Sequence, residues 1–439
     1  MSRYIKKTTV LIKGQSILII LGVVINIIYA RVLGPEKMGL TYLYIFLPNF
    51  VDKFGRLGLA QSAIYYLSNK ALHLKSVMSN LILLGLIFSS MFICIMHYLM
   101  PYYCSKYMDN AVIQRSLVNA ITICIVADFQ NNYLTAVLIA QEKVKQLNII
   151  KIFSMVINIT SGIYFLFVSN LDYYSPVYAF TVGKISMLAA LMVFLRSDLM
   201  SIKWINCIDI KTIKKLLSYG FFIMGNTILA FCKNQSIFLF TGFFLSNANV
   251  GIYKISTGIV EKFNIITRTC STMLLPRLSK QSRKNAVRSG LIVLRLVASI
   301  MFLISTVIFL TSSSIVNIVY GDDYYIMSSI LPIICPTIYL MAYARLISII
   351  FNCIGSPKVP FLINIFSFTM TVIFSFFFIR KFSIEGAAYS FLFSWFIQTF
   401  ITIIVLNKIC KIKINEIILP KRQDWLFLWS ILFAPVKNN

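Results

Sequence analysis

Apolar runs of about twenty residues recur from one end of this chain to the other, and no other feature restricts its fold so severely. A helix rises about 1.5 Å per residue, so each run is long enough to cross the roughly 30 Å hydrocarbon core of a bilayer. The alternation of a transmembrane strand is not sustained anywhere, which argues against a β-barrel. Of the 439 residues, 59% are hydrophobic and 13% charged. A soluble domain of that length would lack the polar surface to cover itself. The sequence therefore specifies an all-α polytopic membrane protein.

The runs predict about twelve helices, near 11–31, 38–63, 77–99, 112–138, 149–169 and 175–195, then 215–241, 248–274, 287–312, 327–350, 359–380 and 384–407. The longest break is the basic stretch 196–214. It divides the chain into an N-terminal lobe (1–208), a C-terminal lobe (209–412) and a basic tail (413–439). Within the tail, "DWLFLWSILFAPV" (424–436) is too short to span comfortably, and Trp425 and Trp429 suit an interfacial helix.

The formal net charge is +27, yet the basic residues concentrate in alternate loops, the footprint of membrane topology rather than of nucleic-acid binding. One side collects Arg3, Lys6, Lys7, Lys13, Lys70, Lys75, Lys143, Lys145, Lys151, the 196–215 cluster, the 277–288 cluster, Lys358 and the tail. The other holds little beyond Arg31, Lys37, Lys106, Arg380 and Lys381. That asymmetry predicts cytoplasmic termini and an even number of spans. The basic N-terminus resembles a signal peptide, but "NIIYAR" lacks the small residue a cleavage site needs, so an uncleaved first helix is expected.

The chemistry open to the chain is narrow. Nine cysteines are scattered without a C-x-x-C, and two histidines are too few for a metal site, so neither metal nor cofactor is expected. "TVGK" (181–184) lacks the leading glycine and the Ser/Thr of a P-loop. External loops such as "SNLDYYS" and "YGDDYY" are too short to house an active site, which disfavours a membrane glycosyltransferase or polysaccharide polymerase.

The ionisable residues inside the spans carry the functional signal. Each costs roughly 2.5–3.5 kcal/mol if it faces lipid at mid-depth. They include Asp52, Lys53 and Arg56 in helix 2, Asp128 in helix 4, Lys184 in helix 6, Lys233 in helix 7, Lys254, Glu261, Lys262 and Arg268 in helix 8, Arg295 in helix 9 and Arg345 in helix 10. A purely structural scaffold does not explain so many. Asp52 and Arg56 stand four apart, the spacing of an ion pair. Lys254, Glu261 and Arg268 stand seven apart and share one face with Gly258. A cationic cavity is expected, bound by Arg56, Lys254, Arg268, Lys53, Lys262 and Arg345, with Asp52, Asp128 and Glu261 as coupling or ion-pairing groups. Its natural cargo is anionic.

Several stretches look familiar in their order: "ARVLGPEKMGL" (30–40), "GRLGLAQSAIYYLSN" (55–69), "NVGIYKISTGIVEKF…TMLLPRLS" (249–279), "YGDDYYIMSSILPIICPTIYLMAYARL" (320–346), "GSPK" (355–358) and "IEGAAYSFLFS" (384–394). Together they resemble the polysaccharide-transport flippases of the multidrug/oligosaccharidyl-lipid/polysaccharide (MOP) exporter superfamily, across helices 1 to 12. The resemblance implies two six-helix lobes around a central cavity opened alternately to each side. It implies a cargo of undecaprenyl-pyrophosphate-linked sugar in a bacterial cytoplasmic membrane, and partners in the lipid bilayer and in assembly proteins such as a polysaccharide polymerase. Lipid II flippases use arginines in helices 1, 2 and 8. Here Arg56 and Arg268 fall in helices 2 and 8, while helix 1 offers only Arg31 at its end, which favours an O-antigen, capsule or exopolysaccharide unit. Helix 1 also lacks the acid usual in the multidrug branch.

Overall fold

The computed structural model describes residues 2–68, 72–105, 111–201, 209–278, 281–356 and 358–418. The interfacial helix expected at 424–436 lies outside them. Among the described residues the chain is helical, with no strand.

The helices in the first part are α1 (Ser2–Gly55), α2 (Leu59–Ser68), α3 (Leu74–Ser105), α4 (Ala111–Ala140), α5 (Val144–Phe167), α6 (Ser175–Phe194) and the short α7 (Arg196–Met200). There follow α8 (Ile210–Phe244), α9 (Asn247–Leu278), α10 (Arg283–Ile315), α11 (Met327–Ile334), α12 (Thr337–Cys353), α13 (Lys358–Cys410) and α14 (Ile414–Ile418). Among the described residues eight stretches are long and apolar enough to cross a membrane. Two of these, in α1 and α13, fold back on themselves and cross twice. With α8 and α9 the count reaches about twelve, as the apolar runs predict.

The two reversals have different causes. In α1 the turn sits at Gly34 (φ 69°, ψ 174°), a conformation glycine adopts without strain, and Pro35 then opens the second helix. In α13 the turn sits at Ser383 (φ 54°, ψ −131°), and Gly386 lets the returning helix press against the Phe378 carbonyl, where a Cβ would overlap it. The expected span 327–350 is also interrupted, as α11 and α12, around Cys335 and Pro336. A proline cannot donate to the ladder, so carbonyls are left over inside the membrane. The Ser305 hydroxyl donates to the Cys335 carbonyl at 2.8 Å and the Thr399 hydroxyl to that of Leu340 at 2.9 Å, tying the interrupted region to neighbouring helices.

Contacts divide the chain into two compact units, Met1–Ile228 and Leu229–Asn439. In the first, Tyr44, Val51, Leu59, Leu81, Ile125, Phe129 and Tyr133 form the buried core. In the second, Ile334, Ile338, Ile347, Phe351 and Phe391 are buried. Large apolar side chains such as Phe153, Val193, Phe243, Leu310 and Phe377 point outward, the inverse of a soluble protein and the expected surface towards lipid.

The opening turns of α8 belong to the first unit. Gly220 lies against the backbone of Leu57 and Gly58 so closely that a Cβ at either glycine would overlap the other segment. Asp209 caps this helix: its carboxylate accepts from the Thr212 hydroxyl at 2.8 Å and from the Lys211 amide at 2.9 Å. Those bonds, the Thr212 one foremost, hold the exposed carboxyl below its ordinary range.

Loops that the charge count assigns to one side of the membrane do meet in the first unit. Lys37 pairs with Asp172 at 2.7 Å at one end. At the other end Asp198 lies 3.9 Å from Lys143 and accepts from Gln141 at 3.0 Å. This pairing fixes the parity of helices 1 to 6.

Candidate functional site

The first unit gathers its membrane charges at a break in the backbone. The sequence predicts one continuous helix over 38–63; instead α1 ends at Gly55, residues 56–58 turn, and α2 begins at Leu59. Leu57 (φ 48°) and Gly58 (φ 68°) both take left-handed conformations. A right-handed helix cannot continue through two such residues, so Arg56 sits at an interruption rather than mid-helix. Its carbonyl accepts from the Leu59 amide at 3.0 Å. The signal was present as "GRLG", glycines on either side of the arginine, but periodicity alone reads through it.

Around this break the Arg56 guanidinium pairs with Asp52, one helical turn back, and with Asp128 of α4 at 3.3 Å. Asp52 also takes Lys53 at 3.1 Å, and Asp128 takes Lys184 of α6 at 2.5 Å. The Asn132 side chain lies against the same guanidinium and, with its amide oxygen turned inward, accepts from it. Asn131 donates to the Lys184 carbonyl at 2.8 Å. Asp52 and Asp128 are buried, 2% and 5% exposed, so each must be compensated locally. Three helices and a turn thus converge on two carboxylates.

Beside this network opens a cavity of about 300 Å³ lined by Arg56, Gln61, Asp128, Asn131, Asn132, Thr135, Lys151 and Lys184, with apolar walls from Ile64, Ile139 and Met187. Lys151, counted with the basic residues of its side, lies in α5 within the expected fifth span, deep enough to line the cavity and close enough to Lys184 for the two charges to repel. Among the described residues its side chain has no hydrogen bond or ion pair. Three cations and one carboxylate line the cavity, a surplus of two positive charges. Neither Lys151 nor Lys184 was among the expected cavity residues. Their convergence comes from helix packing, which no local spacing reveals.

The second unit arranges its charges differently. Lys254, Glu261, Lys262 and Arg268 all lie on α9, which runs unbroken past them. The first three are half-buried and Arg268 is exposed. Lys254 stands 5.5 Å from the centre of the Phe238 ring, a cation–π contact. Arg268 and Arg345, of α12, are close enough for their like charges to interact. Among the described residues no salt bridge joins Glu261 to Lys254, Lys262 or Arg268. Gly258, on the face of the 254–261–268 stripe, has no atom within 4 Å of where a side chain would start, so that face borders open space.

Lys233 of α8 is a third case, 4% exposed. It donates to the Gln398 carbonyl oxygen and lies 3.6 Å from the centre of the Trp395 ring. Gln398 in turn donates to Asn364 at 2.9 Å. A neutral acceptor and an aromatic face hold this cation, an arrangement that joins α8 to both arms of α13.

Among the described residues no group of histidine, cysteine, aspartate or glutamate has the geometry to hold a metal ion. The charged side chains of the first unit hold and balance one another.

Solved structures similar to this chain include membrane transporters. A lipid II flippase, MurJ, in an inward closed conformation, superposes with a TM-score of 0.76 at 15% identity, covering 98% of this chain and 93% of that one. An inward-facing multidrug resistance MATE family transporter of the MOP superfamily gives 0.72 at 13% identity, covering 92% and 99%. A MOP superfamily transporter from Pyrococcus furiosus gives 0.66 at 13%, covering 93% and 95%. At these identities the likeness establishes the fold alone. No curated protein sequence matches the chain. A family model described as "Polysaccharide biosynthesis protein" matches residues 28–329, well over half the chain. The chain therefore belongs to that polysaccharide biosynthesis family, and its fold is that of the MOP superfamily transporters.

Proposed function

We propose that this protein is a flippase that moves undecaprenyl-pyrophosphate-linked sugar or oligosaccharide units across a bacterial cytoplasmic membrane by alternating access, for assembly of O-antigen, capsule or exopolysaccharide. The observation that carries the reading is the cavity beside Arg56, with Lys151 and Lys184 facing the single carboxylate of Asp128. A pyrophosphate diester brings about two negative charges, which matches the surplus of two. Arg56, Lys151 and Lys184 would take phosphate oxygens while Asn131 and Asn132 offer hydrogen bonds to phosphate or sugar. The polyprenyl tail stays in the bilayer, so only the polar head has to leave lipid.

Lys53 and the cations of α9 and α12, Lys254, Lys262, Arg268 and Arg345, are assigned to the same anionic head at other stages of its passage. Asp52, Asp128 and Glu261 balance these cations or take a coupling ion. No covalent step is required, so the protein is read as a transporter and not as an enzyme. The charge of the basic loops supports cytoplasmic termini, and assembly proteins such as a polymerase would receive the flipped unit.

Deletion of the gene tests this reading. The expected outcome is undecaprenyl-linked oligosaccharide stranded on the cytoplasmic leaflet, with surface polysaccharide lost. Accumulation of lipid II would move the protein to peptidoglycan precursor transport. Absence of any accumulated lipid-linked sugar would overturn the proposal.

A further inference from the structure

A second cavity, about 600 Å³, lies in the other unit between the start of α10 and the end of α13, and none of the residues assigned to cargo lines it. Its lining is sorted by depth. Arg283, Lys284 and Arg288 stand exposed at the mouth, and Arg295 is 6% exposed at the inner end. Val287, Leu291, Ile292, Ile409 and Ile412 form the apolar wall between and around them. Lys284, Arg288, Leu291, Ile292 and Arg295 fall at helical intervals of four, three, one and three, so a single face of α10 carries the whole gradient. Arg288 and Arg295 are separated by about 10 Å along the axis. The inner end is organised: Arg295 Nη1 donates to the Glu416 carbonyl at 2.7 Å, tying α10 to α14.

Four cations and one carboxylate, Glu416, line a space whose walls are otherwise aliphatic apart from Cys410. A free inorganic anion would use the cations and leave the aliphatic wall in water. A nucleotide or an acidic peptide would need polar or aromatic walls. A phosphate with acyl chains attached satisfies both parts at once, its phosphate oxygens held by arginine forks and its chains laid along Leu291 and Ile292. A zwitterionic headgroup brings its own ammonium, which the cation surplus disfavours. We propose that this cavity is a binding site for an anionic glycerophospholipid, held by Arg283, Lys284 and Arg288 at the basic membrane face of α10. The site would anchor the second unit to the leaflet carrying anionic lipid, and it stands whether or not the cargo assignment is correct.

Native mass spectrometry of the full chain in detergent, mixed with phosphatidylglycerol or with phosphatidylcholine, tests it. The expected result is retention of phosphatidylglycerol about tenfold above phosphatidylcholine, reduced to the phosphatidylcholine level in Lys284→Gln/Arg288→Gln. Single Lys284→Gln, at an exposed first-turn position that tolerates substitution, gives an intermediate loss and serves if the double variant does not fold. Lys421→Gln/Arg422→Gln in the basic tail leaves retention at the wild-type level. Equal retention of the two lipids, or unaltered retention in the α10 variants, overturns the site. Loss in the tail variant does the same, by moving the lipid elsewhere. Displacement of the lipid by millimolar inorganic phosphate would make this a free-anion site and also overturn the assignment.

Discussion

"VDKFGR" at 51–56 and "VEKFNIITR" at 260–268 begin alike, yet the fold treats their charges in opposite ways. In the first, Asp52 is locked to Lys53 and Arg56, and Arg56 reaches on to Asp128 at a break in the helix. In the second, Glu261 and Lys262 ride an unbroken helix with no salt bridge between them among the described residues, and Arg268 stands exposed with Arg345 nearby. The same residue types therefore support different tasks. Where the chain turns inside the membrane, carboxylates and cations neutralise one another and hold three helices to the turn. Where the helix is continuous, the cations stay available to something outside the protein. Gly58 accounts for part of the difference: it permits the turn and the close approach of α8, whereas Gly258 borders open space and bends nothing.

Breaking the first network is expected to have the largest effect on folding. Arg56→Ala leaves Asp52 and Asp128 buried with fewer partners, a loss of about 3–5 kcal/mol. The folded fraction recovered in detergent should collapse, and a normal unfolding midpoint would show that the network is not structural. Exchanging the pair, Asp52→Arg with Arg56→Asp, sharpens the comparison. A simple ion pair tolerates the swap, but here it would set an aspartate against Asp128 and strip Asn132 of its donor. The swapped protein is expected to fold poorly, and rescue by adding Asp128→Asn would confirm the clash of carboxylates. Gly58→Ala strikes the turn itself. A left-handed non-glycine residue costs of order 1–3 kcal/mol, and the new methyl meets the Gly220 carbonyl. A midpoint lowered by several degrees or more separates it from Gly258→Ala, which should not destabilise the protein; equal behaviour of the two would contradict the account of the turn.

Much of this was legible in the sequence. Lengths of apolar runs give the helices because a bilayer fixes how many residues must be hidden. Loop charges give their pairing, as the contacts of Lys37 with Asp172 and of Lys143 with Asp198 illustrate. The four-residue interval gives the Asp52–Arg56 pair. The rest depends on tertiary packing. Nothing local brings Lys151 of α5 and Lys184 of α6 to the edge of Asp128, because helices of similar composition can be packed in many rotations. The interruption at 56–58 was missed because apolar length carries straight through it, although two glycines flank the arginine. Lys151 also shows how a residue counted with the basic residues of one side can reach inward from the first turns of a helix.

The central claim is that cations left over after internal pairing, Lys151 beside Arg56 and Arg268 on α9, receive the anionic head of a lipid-linked saccharide. Reconstitution in liposomes containing undecaprenyl-pyrophosphate oligosaccharide, with translocation read by accessibility to an added glycan-binding or hydrolytic probe, tests it most directly. Wild-type protein should translocate the lipid, while Lys151→Gln and Arg268→Ala should each slow it by about tenfold or more, the equivalent of one lost charge-assisted contact, at an unchanged unfolding midpoint. Wild-type rates in both variants would contradict the claim.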